Sequence, residues 1–101
     1  MKIYGSAAEL IGGTPLVRFS AFGKAAGAGA EILAKLEYLN PAGSAKDRVG
    51  KEMLDAALSS GRITKDSLII EPTSGNTGIG NAAYAAQLGM KVIIVMPETK
   101  R

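Results

Sequence analysis

The sequence predicts an α/β fold, a partial parallel sheet with flanking helices. Two short apolar runs carry much of that reading, residues 67–70 and 91–96, rich in Ile and Val and suited to strands buried on both faces. Between them lies an Ala-rich helical stretch closed by Gly89. Strand, loop, helix and strand within about 30 residues make a βαβ unit, whose strands should be parallel and whose crossover should be right-handed.

The elements follow in chain order. Thr14-Pro15-Leu16-Val17-Arg18-Phe19 reads as a short strand, with Pro15 favouring a sheet edge. Residues 22–30 are mostly Gly and Ala, too small to build a core, and read as a connection. Residues 31–39 alternate in part and read as a second strand, with 16–19 as its partner. Asn40-Pro41-Ala42-Gly43 breaks the chain, because Pro turns Asn40 away from helical backbone and Gly43 permits a turn. Ser44 and Asp47 have the spacing of a capping box. Val49, Met53, Leu54, Ala57 and Leu58 then recur at helical spacing until Gly61. Residues 71–78 read as a polar loop, and a helix over about 79–88 follows. A parallel sheet needs helices on both faces, and only two parallel strands and two helices are on offer. The chain is therefore expected to be an incomplete unit.

Composition narrows the chemistry. The 101 residues include no Cys, His or Trp. This excludes a Ser-His-Asp relay, an ordinary zinc site and disulfides. Covalent catalysis is left to Lys, Ser, Thr, Tyr or a carboxylate. A hydrophobic share of 47% indicates a globular chain. The net charge of +3 is spread evenly and only 5% of residues are aromatic, which argues against nucleic acid as a partner. No run approaches the ~20 apolar residues of a membrane span, and no signal-peptide core opens the chain. A soluble, cytoplasmic protein is expected.

Two places carry chemistry. Lys46 falls in the first turn of the predicted helix, where the partial positive charge of the N-terminus disfavours a cation. The same field, with Arg48 nearby, would favour the neutral amine that Schiff-base chemistry uses. Taken alone, the plainer reading is a solvated lysine whose charge Asp47 offsets. The second place is Thr73-Ser74-Gly75-Asn76-Thr77, between a strand and a helix N-terminus. Backbone N–H groups, hydroxyls and an amide converge there, as at a carboxylate or phosphate site. A helix cap would need only one such residue. Gly78-Ile79-Gly80-Asn81-Ala82-Ala83 also fits the dinucleotide pattern G-x-G-x-x-A, with Glu98 twenty residues beyond Gly78, but Gly78 follows the strand too late for the phosphate turn.

Read together, residues 11–17 (IGGTPLV), 36–48 (LEYLNPAGSAKDR), 71–80 (EPTSGNTGIG) and 92–99 (VIIVMPET) resemble the cysteine synthase, or O-acetylserine sulfhydrylase, family of tryptophan-synthase-β-like pyridoxal-phosphate enzymes. The resemblance covers nearly the whole chain in order and spacing. It implies the incomplete N-terminal portion of a two-domain, fold-type II enzyme. Residues 1–39 would belong largely to the large domain and 40–101 to the small, substrate-loop domain. The cofactor implied is pyridoxal 5'-phosphate, held covalently by Lys46, which would later act as acid and base. Asn76 would hydrogen-bond the cofactor's ring oxygen. Thr73, Ser74, Gly75, Asn76 and Thr77 would grip the substrate α-carboxylate, closing the small domain and excluding water.

The activity implied is β-replacement of O-acetyl-L-serine with sulfide, giving L-cysteine and acetate. A homodimer is implied, and serine acetyltransferase as a further partner. No metal is implied. The cofactor-phosphate loop and the pyridine-nitrogen partner would lie in sequence beyond these residues, so the 101-residue piece alone is expected to be inactive. Ala42, Ala45 and Gly13 depart from the common family pattern by small changes, Asn81 by placing an amide on a packed helix face, and Lys100-Arg101 at the end of the chain. Cystathionine β-synthase and serine or threonine dehydratases share the lysine and a related loop. A dinucleotide- or anion-binding module without catalysis is the alternative of another class.

Overall fold

The computed structural model describes residues 1–73 and 75–98. Strands β1 (Leu16–Arg18) and β2 (Leu33–Lys35) pair antiparallel, Val17 opposite Ala34. Between them Ser20–Ala25 forms a short helix, α1, where the composition reads as a plain connection. Ala favours helix, and the buried Gly23 sits beside Ile32. The second strand is shorter than the expected 31–39. From Glu37 to Leu39 the chain winds into a 3-10 turn that leads to the Asn40-Pro41 break.

Helix α2 (Lys46–Ser59) starts with Ala45 as its cap, and the expected Ser44–Asp47 capping box does not form. Ser44 Oγ accepts from Lys46 N at 3.1 Å, while Asp47 turns back and its Oδ2 accepts from Ala42 N at 2.6 Å. The carboxylate, 1% exposed, thus serves the preceding turn and not the helix end. Gly61, at φ 78°, ends the helix as its position indicates.

Strand β3 (Leu68–Pro72) and strand β4 (Lys91–Val95) pair in parallel, with Ile70 opposite Ile93, and helix α3 (Asn76–Gln87) connects them. The predicted βαβ unit is present. The loop is much shorter than 71–78, since β3 runs through Pro72 and α3 begins at Asn76. The strands are not buried on both faces. Ile69, Val92 and Ile94 face the helices and are half-buried, whereas Leu68, Ile70, Ile93 and Val95 are exposed.

The core lies where α2 crosses α3 above this sheet. Leu54, Tyr84, Ala85 and Met90 are buried together, with Leu58, Ile63, Ile69, Leu88 and Val92 around them. The crossing is close because glycines face each other. A Cβ on Gly50 would lie 2.7 Å from the carbonyl carbon of Gly80, and one on Gly80 would lie 2.4 Å from Lys46 O. Tyr84 donates to Asp55, which also accepts from Lys51 Nζ at 2.6 Å, so one carboxylate links the two helices. Among the described residues no helix is long and apolar enough to cross a membrane.

Candidate functional site

The parallel strands deliver Thr73 and residues 75–77 to the carboxyl end of the sheet, the usual place for ligands in α/β folds. Thr73 leaves β3 with its N–H donating to Val95 O at 2.9 Å. Its methyl group fits against Gly78, where a Cβ would come within 2.5 Å of Thr73 Cγ2. The hydroxyl is thereby left on the loop side, where Oγ1 accepts from Gly75 N at 3.5 Å. Gly75 caps α3 in extended conformation, and a Cβ there would meet nothing within 4 Å, so its backbone borders open space. Asn76 and Thr77 form the first turn of α3, Asn76 exposed and Thr77 half-buried. Ser74 lies outside the described residues.

Beside this loop opens a cleft of about 300 Å³, lined by Thr73, Gly75, Gly78, Ile79, Ala82, Ile94 and Met96. Thr73 and Gly75 border it at the loop end, and Ile79, Ala82, Ile94 and Met96 make the rest of it apolar. Such a lining suits the apolar body of a ligand whose polar group reaches the loop.

Lys46 is the first residue of α2 and is exposed. It is brought to α3 through its backbone: the Lys46 carbonyl abuts Gly80, four residues after Asn76. Lys46 and Asn76–Thr77 thus stand on the starting turns of two helices that touch near those starts. The cleft itself is lined by Thr73 and Gly75 but not by Lys46, Asn76 or Thr77. The dinucleotide reading does not hold, because Gly78 and Gly80 are both buried inside α3. They let Thr73, Ile94 and Lys46 approach and leave no glycine turn for a pyrophosphate.

The residues present fit pyridoxal phosphate on the chemistry of their donors. They supply an exposed primary amine, a side-chain amide, two hydroxyls, an uncovered glycine backbone and an apolar wall. Asn81 follows the sequence reading: it is 2% exposed and its Oδ1 has no partner.

Sequence reasoning missed a polar cluster just outside the lysine. Arg48 forms a fork with Glu37, Nη2 to Oε1 at 2.9 Å and Nε to Oε2 at 3.0 Å. The same Nη2 donates to Gly12 O at 2.9 Å and to Thr14 Oγ1 at 3.1 Å. Glu37 also accepts from Thr14 Oγ1 and from Asn40 Nδ2, both at 2.7 Å. Asn40, 3% exposed, accepts from Gly12 N at 2.8 Å and donates to Ser44 O at 3.0 Å. The Arg48 fork, then Thr14 and Asn40, hold the Glu37 carboxyl well below its ordinary 4.5, at about 2, against the opposing effect of burial. Pairing with Glu37 raises Arg48 in turn. The only signal in the sequence was the charge on Glu37 and Arg48, eleven residues apart and joined only by the fold.

Residues 7–101 match the model of a family described as pyridoxal-phosphate dependent enzymes. Cysteine synthase B of Campylobacter jejuni is 46% identical over 99 residues, which are 98% of this chain and 31% of that protein. A crystal structure of a hydrogen sulfide-producing enzyme from Fusobacterium nucleatum superposes with a TM-score of 0.87 at 44% identity, covering 100% of this chain and 32% of that one. The O-acetylserine dependent cystathionine beta-synthase of Helicobacter pylori gives a TM-score of 0.85 at 41% identity, covering 99% and 33%. The chain spans about a third of the length of each of these proteins.

Proposed function

The chain belongs to the family of pyridoxal-phosphate dependent enzymes, and we propose that the reaction it serves is the β-replacement of O-acetyl-L-serine by sulfide. The Cβ–O bond breaks and acetate leaves, a Cβ–S bond forms, and L-cysteine results. When bound, pyridoxal phosphate supplies the electron sink that makes the substrate α-proton removable. Lys46 holds the cofactor through its amine, then takes the α-proton and returns it. Thr73, Ser74, Asn76 and Thr77, with the Gly75 backbone, bind the α-carboxylate at the N-terminus of α3, where the helix field favours an anion. Asn76 also holds the cofactor's ring oxygen. Residues 1–39 belong with a large domain and 40–101 with a small one. Homodimerisation, a cytoplasmic site of action and docking of serine acetyltransferase are further parts of the proposal.

The observation that carries it is the contact of the Lys46 carbonyl with Gly80, which sets the lysine turn beside the turn that bears the carboxylate loop. Support comes also from the cysteine synthase name of the Campylobacter relative. The Helicobacter protein, which is O-acetylserine dependent, favours the same amino-acid substrate but another nucleophile. Supplying homocysteine in place of sulfide separates the two, since a cystathionine β-synthase gives cystathionine.

The lysine is tested by incubation with pyridoxal phosphate, borohydride reduction and mapping by mass spectrometry. Selective labelling of Lys46 over the other seven lysines is expected. Even labelling would defeat the assignment and favour an anion-binding module, whose ligand affinity would survive Lys46→Ala.

A further inference from the structure

We propose that Glu37, Asn40 and Arg48 are positioning residues that fix the backbone of the Lys46 turn and so aim its amine. The inference rests on the reading of Lys46 as the cofactor lysine. Lys46 itself is exposed, and a four-carbon amine on a free turn would sample many directions. The turn is tied at nearly every step. Ala42 N is held by Asp47, Ser44 O by Asn40, Lys46 N by Ser44 Oγ, and Arg48 by Glu37.

Those ties lead to distant chain. Gly12 gives both its N–H, to Asn40, and its carbonyl, to Arg48, across 28 and 36 residues. The fit is close there too, since a Cβ on Gly12, whose φ is 86°, would lie 3.1 Å from Arg48 Nη1. A helix cap needs none of this reach. On its other side the same turn abuts Gly80, so the lysine turn is clamped between the Gly12–Thr14 segment and α3. Pre-set geometry of this kind is what covalent and proton-transfer chemistry requires of its supporting residues.

Glu37→Gln breaks the charged fork, and Arg48→Lys keeps the charge but loses the fork geometry. The purified protein is labelled with pyridoxal phosphate and borohydride, and the rate at Lys46 is measured relative to the other lysines. Hydrogen exchange is followed in parallel over residues 42–48 and at the core residues Leu54, Tyr84 and Met90. In both variants the relative rate at Lys46 should fall by about tenfold or more, with faster exchange over 42–48 and unchanged protection in the core.

An unchanged Lys46 rate in both variants would overturn the inference and leave the function reading standing. A fall in Glu37→Gln alone would also overturn it, since charge and not fork geometry would then be the cause. If core protection is lost in both, Thr14→Val decides, because it removes only the Thr14 hydroxyl's bonds to Glu37 and Arg48. It should lower the rate in the same direction, and no change would overturn the proposal. Indiscriminate labelling of the unaltered protein would remove the function reading and the inference together.

Discussion

The two halves of the molecule are held by different means. In residues 40–98 the two long helices meet backbone against backbone at their crossing. Gly50 and Gly80 let α2 and α3 touch, and Leu54, Tyr84, Ala85 and Met90 fill the space beside them. In residues 1–39 only Gly23 is buried among the described residues, while Leu16, Phe19, Phe22 and Leu33 stand exposed. Ala8 and Ile11 pack against that core, while the β1–β2 ribbon is joined to the rest near Lys46 by polar side chains, Glu37, Asn40 and Arg48. Close packing therefore sets the register of the helices, and a hydrogen-bond cluster sets the register of the ribbon on them. The first depends chiefly on volume at the helix crossing, and the second depends chiefly on the charge of the Glu37–Arg48 pair.

The largest expected effect tests this contrast with one chemistry in both halves. Gly80→Ala puts a Cβ 2.4 Å from Lys46 O, a backbone atom that cannot swing aside, and should cost about 3 kcal/mol. Gly29→Ala adds a Cβ that meets nothing within 4 Å and should change stability by less than about 0.5 kcal/mol. Urea midpoints measure both, and equal effects would erase the distinction.

The polar half should respond to acid. Glu37 has a folded pKa of about 2, below its ordinary 4.5, so its contribution is complete above 4.5 and is lost as the pH falls towards 2. Glu37→Gln should lower the urea midpoint at neutral pH, and the gap to the unaltered protein should close between pH 4.5 and 2. A gap that persists at pH 2 would show that the cluster does not depend on the carboxylate's charge.

The smallest effect sharpens the account of the packed half. Asn81 Oδ1 is buried without a partner, so Asn81→Ala removes an unmet acceptor and adds helix propensity. The urea midpoint should hold or rise, corresponding to a gain in stability of up to about 1 kcal/mol. A clear loss would mean that the amide makes a bond through water.

Much of the fold was legible from the sequence. The runs at 67–70 and 91–96 announced β3 and β4, and Gly61 and Gly89 marked the ends of α2 and α3 at φ of 78° and 73°. The 16–19 and 31–39 segments paired as expected, over three residues each. Boundaries were less legible. The polar residues of 71–78 read as loop, yet β3 keeps its ladder through Pro72, and α3 admits Asn76 and Thr77 because its packing through Gly78 and Gly80 outweighs their propensity.

The candidate site divides in the same way. Local sequence determined that a lysine starts one helix and that hydroxyls and an amide precede another, because caps, breaks and helical periodicity act over a few residues. Only tertiary structure decided that Lys46 abuts Gly80, that Asp47 serves the preceding turn, and that Glu37, Asn40 and Arg48 meet at Gly12. The contacts of Gly12 with Asn40 and Arg48 span 28 and 36 residues, and a glycine or a charge carries no mark of the partner it will meet until the helices have crossed.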